Sequence, residues 1–167
     1  MADSAIRPAR PDDLPALARI YDYFIANTAI TFDLEPFGTE GRRAWFEGFA
    51  DGGRHRLLVA DAGAGAIGYA CAHTFRPKGA YATSVETTIY LDIDHQRAGL
   101  GTRLYTALFE ILAQEDVHRA YAGITLPNPG SVALHEHFGF EHTGTFHEVG
   151  RKQDRYWDVA WFEKRLR

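Results

Sequence analysis

The chain has 167 residues, 46% hydrophobic and 24% charged, the balance of a globular protein with enough apolar material for a real core. Its formal net charge is −4 and it holds no long basic run, which argues against nucleic acid as a partner. The single cysteine, Cys71, excludes an internal disulfide and a Cys-based zinc site, and suits a reducing compartment. Met1-Ala2-Asp3-Ser4-Ala5-Ile6 lacks the basic and apolar regions of a secretory signal. No apolar stretch approaches the roughly 20 residues of a membrane span. The expectation is one cytoplasmic domain over residues 1–167, with no membrane partner.

Ala5-Ile6-Arg7 reads as a short strand ended by Pro8. Pro11-Asp12-Asp13 then opens a helix, since proline and carboxylates favour a helix start. Leu14, Leu17, Ala18, Tyr21 and Ile25 give that helix one apolar face. A second helix is expected from Thr39 to Ala50, with Trp45, Phe46 and Phe49 inward and Gly52-Gly53 as its stop. Strands are expected over Arg56–Asp61, Ala66–Phe75 and Tyr81–Ile93, the first two joined by the turn Ala62-Gly63-Ala64-Gly65. Leu100 to Gln114 is helical, with Leu100, Leu104, Ala107, Leu108, Ile111 and Leu112 on one face. Tyr121–Thr125 is a short strand. Asn128-Pro129 starts a further helix, as an N-cap and proline at the first helical position, and the helix runs to about Phe138 before Gly139. Phe140–Val149 and Trp157–Phe162 close a mixed α/β domain.

Asp94 to Thr102 joins a strand to a helix and carries two glycines, Gly99 and Gly101. Glycines permit a tight turn and leave backbone N–H groups uncovered at the positive end of the helix, which suits a phosphate. A plain strand-to-helix turn remains the alternative on this segment alone. A dinucleotide fingerprint would need a third glycine where Leu104 stands, and a P-loop would need Gly-Lys-Ser/Thr.

The spacing Gln96-x-x-Gly99-x-Gly101 resembles the Q/R-x-x-G-x-G/A motif of the GNAT acetyltransferase superfamily. Asn128-Pro129-Gly130-Ser131-x-x-Leu134-His135-x-x-Phe138-Gly139-Phe140 resembles that family's second cofactor segment. Within the superfamily, Phe75-Arg76-Pro77, Val85-Glu86-Thr87-Thr88-Ile89-Tyr90, Leu134-His135-Glu136 and Val149-Gly150-Arg151-Lys152 are similar to segments of the phosphinothricin and methionine sulfoximine acetyltransferases, over roughly residues 5 to 165. The resemblance implies the GNAT acyl-CoA N-acyltransferase fold, a central mixed and mostly antiparallel sheet flanked by helices. It implies acetyl-CoA as cosubstrate, and often a homodimer.

By that resemblance, Gln96, Arg97, Ala98, Gly99, Leu100, Gly101 and Thr102 hold the coenzyme A pyrophosphate, chiefly through backbone N–H groups. Ile89, Tyr90 and Leu91 pair with the pantetheine arm, and Asn128 and Ser131 belong to the second cofactor segment. Glu86, a carboxylate in mid-strand beside the cofactor segment, is the candidate base, acting through a water; a solvent-facing or ion-paired residue is the alternative. His135 stands where many members carry a tyrosine that protonates the thiolate, and an ordinary helix histidine is the alternative. Arg76 and Lys78 are candidate anion binders near the substrate mouth, or solvated loop charges. Phe32 and Val85 are further candidates to line the substrate site, core packing being equally open for Phe32.

No metal is expected: His135 and His137 diverge on a helix and His-Glu-x-x-His is absent. Cys71 reads as packing. The expected reaction is direct attack of a small amino-acid-like amine on acetyl-CoA, with L-phosphinothricin, methionine sulfoximine or methionine sulfone as acceptor. The alternatives are another small amine, a protein N-terminus, or a non-catalytic acyl-CoA sensor lacking any need for Glu86 and His135.

Overall fold

Alternating apolar residues in two central strands dictate a sheet covered on both faces. In β2 (Arg56–Asp61), Leu58 and Ala60 face one layer while Leu57 and Val59 face the other. In β3 (Ala66–Thr74), Ala70 and Ala72 join the first layer, and Tyr69 and Cys71 the second. The computed structural model describes residues 4–96 and 99–167. The remaining strands are β1 (Ala5–Pro8), β4 (Ser84–Leu91), β5 (Arg119–Thr125), β6 (Glu141–Lys152) and β7 (Arg155–Arg165), and the seven form one sheet in the order β1-β2-β3-β4-β5-β7-β6. Every neighbouring pair is antiparallel except β4 and β5.

Helix α1 (Leu14–Asn27) covers one face through Leu17, Ile20 and Phe24. Two single turns, α2 (Gly38–Gly41) and α3 (Arg43–Phe46), follow it. Helix α4 (Leu100–Leu112) covers the opposite face with Leu104, Leu108 and Leu112, all fully buried, each worth about 2 kcal/mol of transfer free energy. Helix α5 (Pro129–His137) lies on the α4 side, where Val132 and Leu134 pack against the same core.

Several boundaries differ from the sequence expectation. The helix expected over Thr39–Ala50 is two separate turns, because Gly41 and Gly48 each weaken a short helix and Arg42 is drawn inward between them. Trp45, Phe46 and Phe49 still pack against the α1-side core. The strand expected over Tyr81–Ile93 is confined to Ser84–Leu91, with 3-10 turns at Gly79–Tyr81 and Ile93–His95 on either side. Strands β6 and β7 are longer than expected.

Arg7 ties three elements together. Its guanidinium donates to both carboxylate oxygens of Asp13, at 2.7 and 2.8 Å, and to Asp61 at 2.8 Å. Asp13 also accepts the Arg10 backbone N–H at 2.7 Å, holding the chain as it enters α1. Burial works to raise the Asp13 carboxyl, but the bonds from Arg7 and Arg10 and the Arg7 charge outweigh it, and the net direction is down.

Candidate active site

Strands β4 and β5 pair only at Ser84, Val85 and Glu86, against Arg119, Ala120 and Tyr121. Beyond Glu86 the two strands part, although β4 stays paired with β3 through Leu91. The parting opens the middle of the sheet, and two connected depressions lie there. A groove of about 340 Å³ is lined by Ile89, Tyr90 and Leu91, by Gln96 and Gly99 to Thr102, and by Asn128 and Ser131. A cleft of about 740 Å³ shares Ile89, Tyr90, Asn128 and Ser131 with it and continues past Glu86 and His135.

The groove is built by local sequence rules. Gly99 has φ +68°, a left-handed value that glycine adopts without strain, and it turns the chain into α4. Gly101 lets the helix start close to its neighbours: a Cβ there would lie 3.4 Å from Leu134 and 3.6 Å from Ile89. Asn128 caps α5, its side chain accepting the Ser131 N–H at 3.2 Å, with Pro129 as the first helical residue. The groove thus brings together the β4 edge, the N-terminal turn of α4 and the start of α5. That set fits a long ligand with a phosphate at one end and amide groups at the other. Arg97 and Ala98, also expected at the pyrophosphate, lie outside the described residues.

Glu86 lines the cleft and forms no side-chain hydrogen bond or ion pair among the described residues. Burial raises its pKa above the ordinary glutamate value, and the charge of Arg76 opposes that shift. A desolvated carboxylate without a partner is a stronger base than one in water. His73 is its cross-strand neighbour on β3.

His135 is 3% exposed and bonded at both ring nitrogens. Its Nδ1 lies 2.7 Å from the Ser131 carbonyl oxygen, which only accepts, so Nδ1 carries the proton. Nε2 therefore accepts, and the Tyr105 hydroxyl donates to it at 3.0 Å. Burial lowers the pKa of His135, with the Ser131 bond opposing, so the ring is held neutral near pH 7. Burial also raises Tyr105. Both residues line the cleft.

Phe32 lines the cleft wall, where its ring lies against the backbone of Gly150. Arg76 is exposed and stacks 4.4 Å from the Phe75 ring centre and 5.6 Å from that of Trp161, a cleft residue. Two expected substrate contacts are corrected. Val85 is fully buried in the α4-side core, because alternation along β4 turns it away from Glu86. Lys78 is exposed in the loop before Gly79–Tyr81 and does not line the cleft. Cys71 borders the cleft but is 1% exposed, and burial pushes its thiol up to about 12, which makes it inert as a nucleophile.

Sequence reasoning missed three cleft residues. Tyr105 was hidden inside the apolar stripe of α4, although a tyrosine hydroxyl in such a stripe needs a buried partner. Arg42 falls within the helix expected over Thr39–Ala50, where nothing in the local sequence marks it as an inward residue. His73 lay in a strand with no local signature.

Residues 6–161 match the model of the acetyltransferase (GNAT) domain. The chain is 50% identical over 167 residues to a phosphinothricin N-acetyltransferase of Streptomyces coelicolor, covering 99% of this chain and 98% of that protein. It is 32% identical to an L-methionine sulfoximine/L-methionine sulfone acetyltransferase of Pseudomonas paraeruginosa, covering 98% and 95% of the two chains. The crystal structure of a phosphinothricin acetyltransferase from Sinorhizobium meliloti in complex with acetyl-CoA superposes with a TM-score of 0.92 at 30% identity, covering 98% of this chain and 89% of that one. The fold, the opened strand pair with its glycine-led helix, and these likenesses agree: the chain belongs to the GNAT acetyltransferase family and is an N-acetyltransferase.

Proposed function

We propose that this enzyme acetylates the α-amine of a small amino acid with an oxygen-bearing head, such as L-phosphinothricin, methionine sulfoximine or methionine sulfone, with acetyl-CoA as donor. The observation that carries the reading is Glu86: a desolvated carboxylate without a partner, at the point where β4 and β5 part. The names of the relatives support the substrate class.

In this reading the groove holds the donor. Gly99, Leu100, Gly101 and Thr102 offer backbone N–H groups to the pyrophosphate, together with Gln96, Arg97 and Ala98 before them. The free edge of Ile89, Tyr90 and Leu91, with Asn128 and Ser131, takes the pantetheine arm. Bound acetyl-CoA supplies the activated acyl group. Glu86 takes a proton from the substrate ammonium, directly or through a water, so that the neutral amine attacks. On the thiolate side, His135 and Tyr105 act as one unit. Nδ1–H of His135 is committed to Ser131, so the proton that passes to the departing coenzyme A thiolate as the C–S bond breaks is that of the Tyr105 hydroxyl, replaced from solvent as Glu86 releases the proton it took from the amine.

Acetyl-CoA is an intracellular cosubstrate, which supports a cytoplasmic location. Phe146, Val149 and Tyr156 are exposed on β6 and β7 at one end of the sheet, which supports a homodimer formed there.

The test is thiol release from acetyl-CoA with a panel of amines. Saturable release with phosphinothricin and methionine sulfone, and little with alanine or a simple alkylamine, is the expected result. Acetyl-CoA binding without release across the panel would overturn the reading in favour of a sensor.

A further inference from the structure

Arginine is seldom buried without an acidic partner. Arg42 is 7% exposed, yet no carboxylate lies within ion-pair distance of it among the described residues. Its Nε is buried and without a hydrogen-bond partner. What holds the side chain is a pair of aromatic rings. Its guanidinium carbon lies 4.1 Å from the ring centre of Tyr21 and 3.7 Å from that of Trp45. Both rings hold it by cation–π contact, and its planar set of N–H donors makes no side-chain hydrogen bond among the described residues. Arg42, Tyr21 and Trp45 all line the large cleft.

Among the described residues Arg42 lines the cleft, whereas Arg76 lies outside its wall, on a different element. Arg76 follows β3 and stacks beside Trp161 of β7, and its charge is felt at Glu86. Arg42 sits between α2 and α3, on the α1 side of the sheet. Its charge is felt at Tyr69, Cys71, His73 and Tyr90, but it is not among the charges acting on Glu86. A substrate whose amine is at Glu86 carries its α-carboxylate one carbon away, and its side chain extends further into the same cleft, whose wall includes Arg42.

We propose that Arg42 is a specificity residue that binds the oxygens of the substrate's side-chain head, a phosphinate, sulfone or sulfoximine. The inference rests on the amino-acid reading of the function. Two acceptor atoms on a tetrahedral centre, the oxygens of a phosphinate or sulfone or the oxygen and imine nitrogen of a sulfoximine, match the in-plane donors of a guanidinium, and an anionic head gains a charge-assisted bond in a desolvated site. An apolar side chain of the same length leaves those donors unpaired, so the enzyme rejects it by the cost of a buried polar group with no partner.

The experiment compares kcat and KM of wild type, Arg42→Gln and Arg42→Lys with phosphinothricin, methionine sulfone and norleucine. Acetyl-CoA binding serves as the measure of an intact fold. Arg42→Gln is expected to raise KM for phosphinothricin about tenfold to a hundredfold, to raise it less for the uncharged sulfone, and to leave norleucine unchanged or improved. Arg42→Lys, which keeps the charge and loses the planar fork, is expected to fall between. An equal loss with all three substrates overturns the inference and makes Arg42 a carboxylate anchor or a structural clamp. An unchanged KM for phosphinothricin also overturns it. Failure of wild type to acetylate any amino acid, while it acetylates simple amines, overturns the reading of the function and this inference with it.

Discussion

A Cβ atom on Gly150 would lie 2.1 Å from Cε2 of Phe32, so the Phe32 ring holds its place in the cleft only because residue 150 has no side chain. The conformation at Gly150 needs no glycine: its φ is not among the positive values. What it supplies is space. Gly150→Ala is expected to turn Phe32 out of position and raise KM for the amine substrate, with overpacking costing about 1–3 kcal/mol of stability. Steady-state kinetics of Gly150→Ala, Phe32→Ala and the double variant check this. The double variant should match Phe32→Ala, because the alanine then has nothing to displace.

With Glu86 as the proposed base, its titration is expected to set the acid limb of the rate profile. Its pKa in the fold is raised by burial, so the carboxylate is present above that value and is lost as pH falls through it. kcat/KM is expected to decline on the acid side with a midpoint above the usual glutamate range. Arg76→Ala removes the charge that opposes the shift and should move that midpoint higher. Glu86→Gln should lower kcat about a hundredfold or more. It should not destabilise the protein at neutral pH, since a raised folded pKa means that the charged form works against folding. A thermal melt beside the kinetic assay separates lost chemistry from lost fold.

Tyr105→Phe leaves Nε2 of His135 buried without its donor, at a cost of about 1–3 kcal/mol. kcat should fall about a hundredfold, with KM for acetyl-CoA little changed. His135→Asn should give a similar kcat, and the double variant no further loss, because the two side chains act through one hydrogen bond. Single-turnover measurement of thiol release reads this step directly.

Asp13 governs acid stability at the other end of the chain. Its folded pKa is depressed below the ordinary aspartate value of 3.8. Its contribution is therefore fully present above that ordinary value and disappears as pH falls through the folded one. Asp13→Asn should destabilise the protein by about 3 kcal/mol at pH 7, since it leaves the Arg7 guanidinium short of a partner. Denaturant melts at pH 7 and pH 3 should show the gap between wild type and variant closing as the pH falls.

Features fixed by neighbouring residues were legible in the sequence. Asn128-Pro129 announces the start of α5, and the Gly99 turn announces α4, because a cap and a left-handed glycine act within one turn of the chain. Alternation along β4 puts Glu86 and Val85 on opposite faces, one on the cleft and the other in the core, a cue that the expectation of Val85 at the substrate site did not use. Arg42 and Tyr105 were not legible. Each owes its role to partners distant in sequence, Tyr21 for one and His135 for the other, and nothing beside them records the pairing. The helix expected over Thr39–Ala50 failed for a related reason: tertiary burial of Arg42 competes with a weak local preference.

The gap between β4 and β5 also bears on the endurance of the molecule. A sheet normally has bare rims only at its two outer strands, and here one lies inside it, along the segment that follows Glu86. A cosubstrate that pairs with this rim completes the sheet. Binding to the folded chain alone then shifts the unfolding equilibrium by mass action, about 2.7 kcal/mol at a hundred times the dissociation constant. The melting temperature should rise with acetyl-CoA concentration even without an amine present. Hydrogen exchange at the amides of residues 87–91 should slow most. The lifetime of the enzyme in a cell would then follow the acetyl-CoA supply, longest when the donor is plentiful.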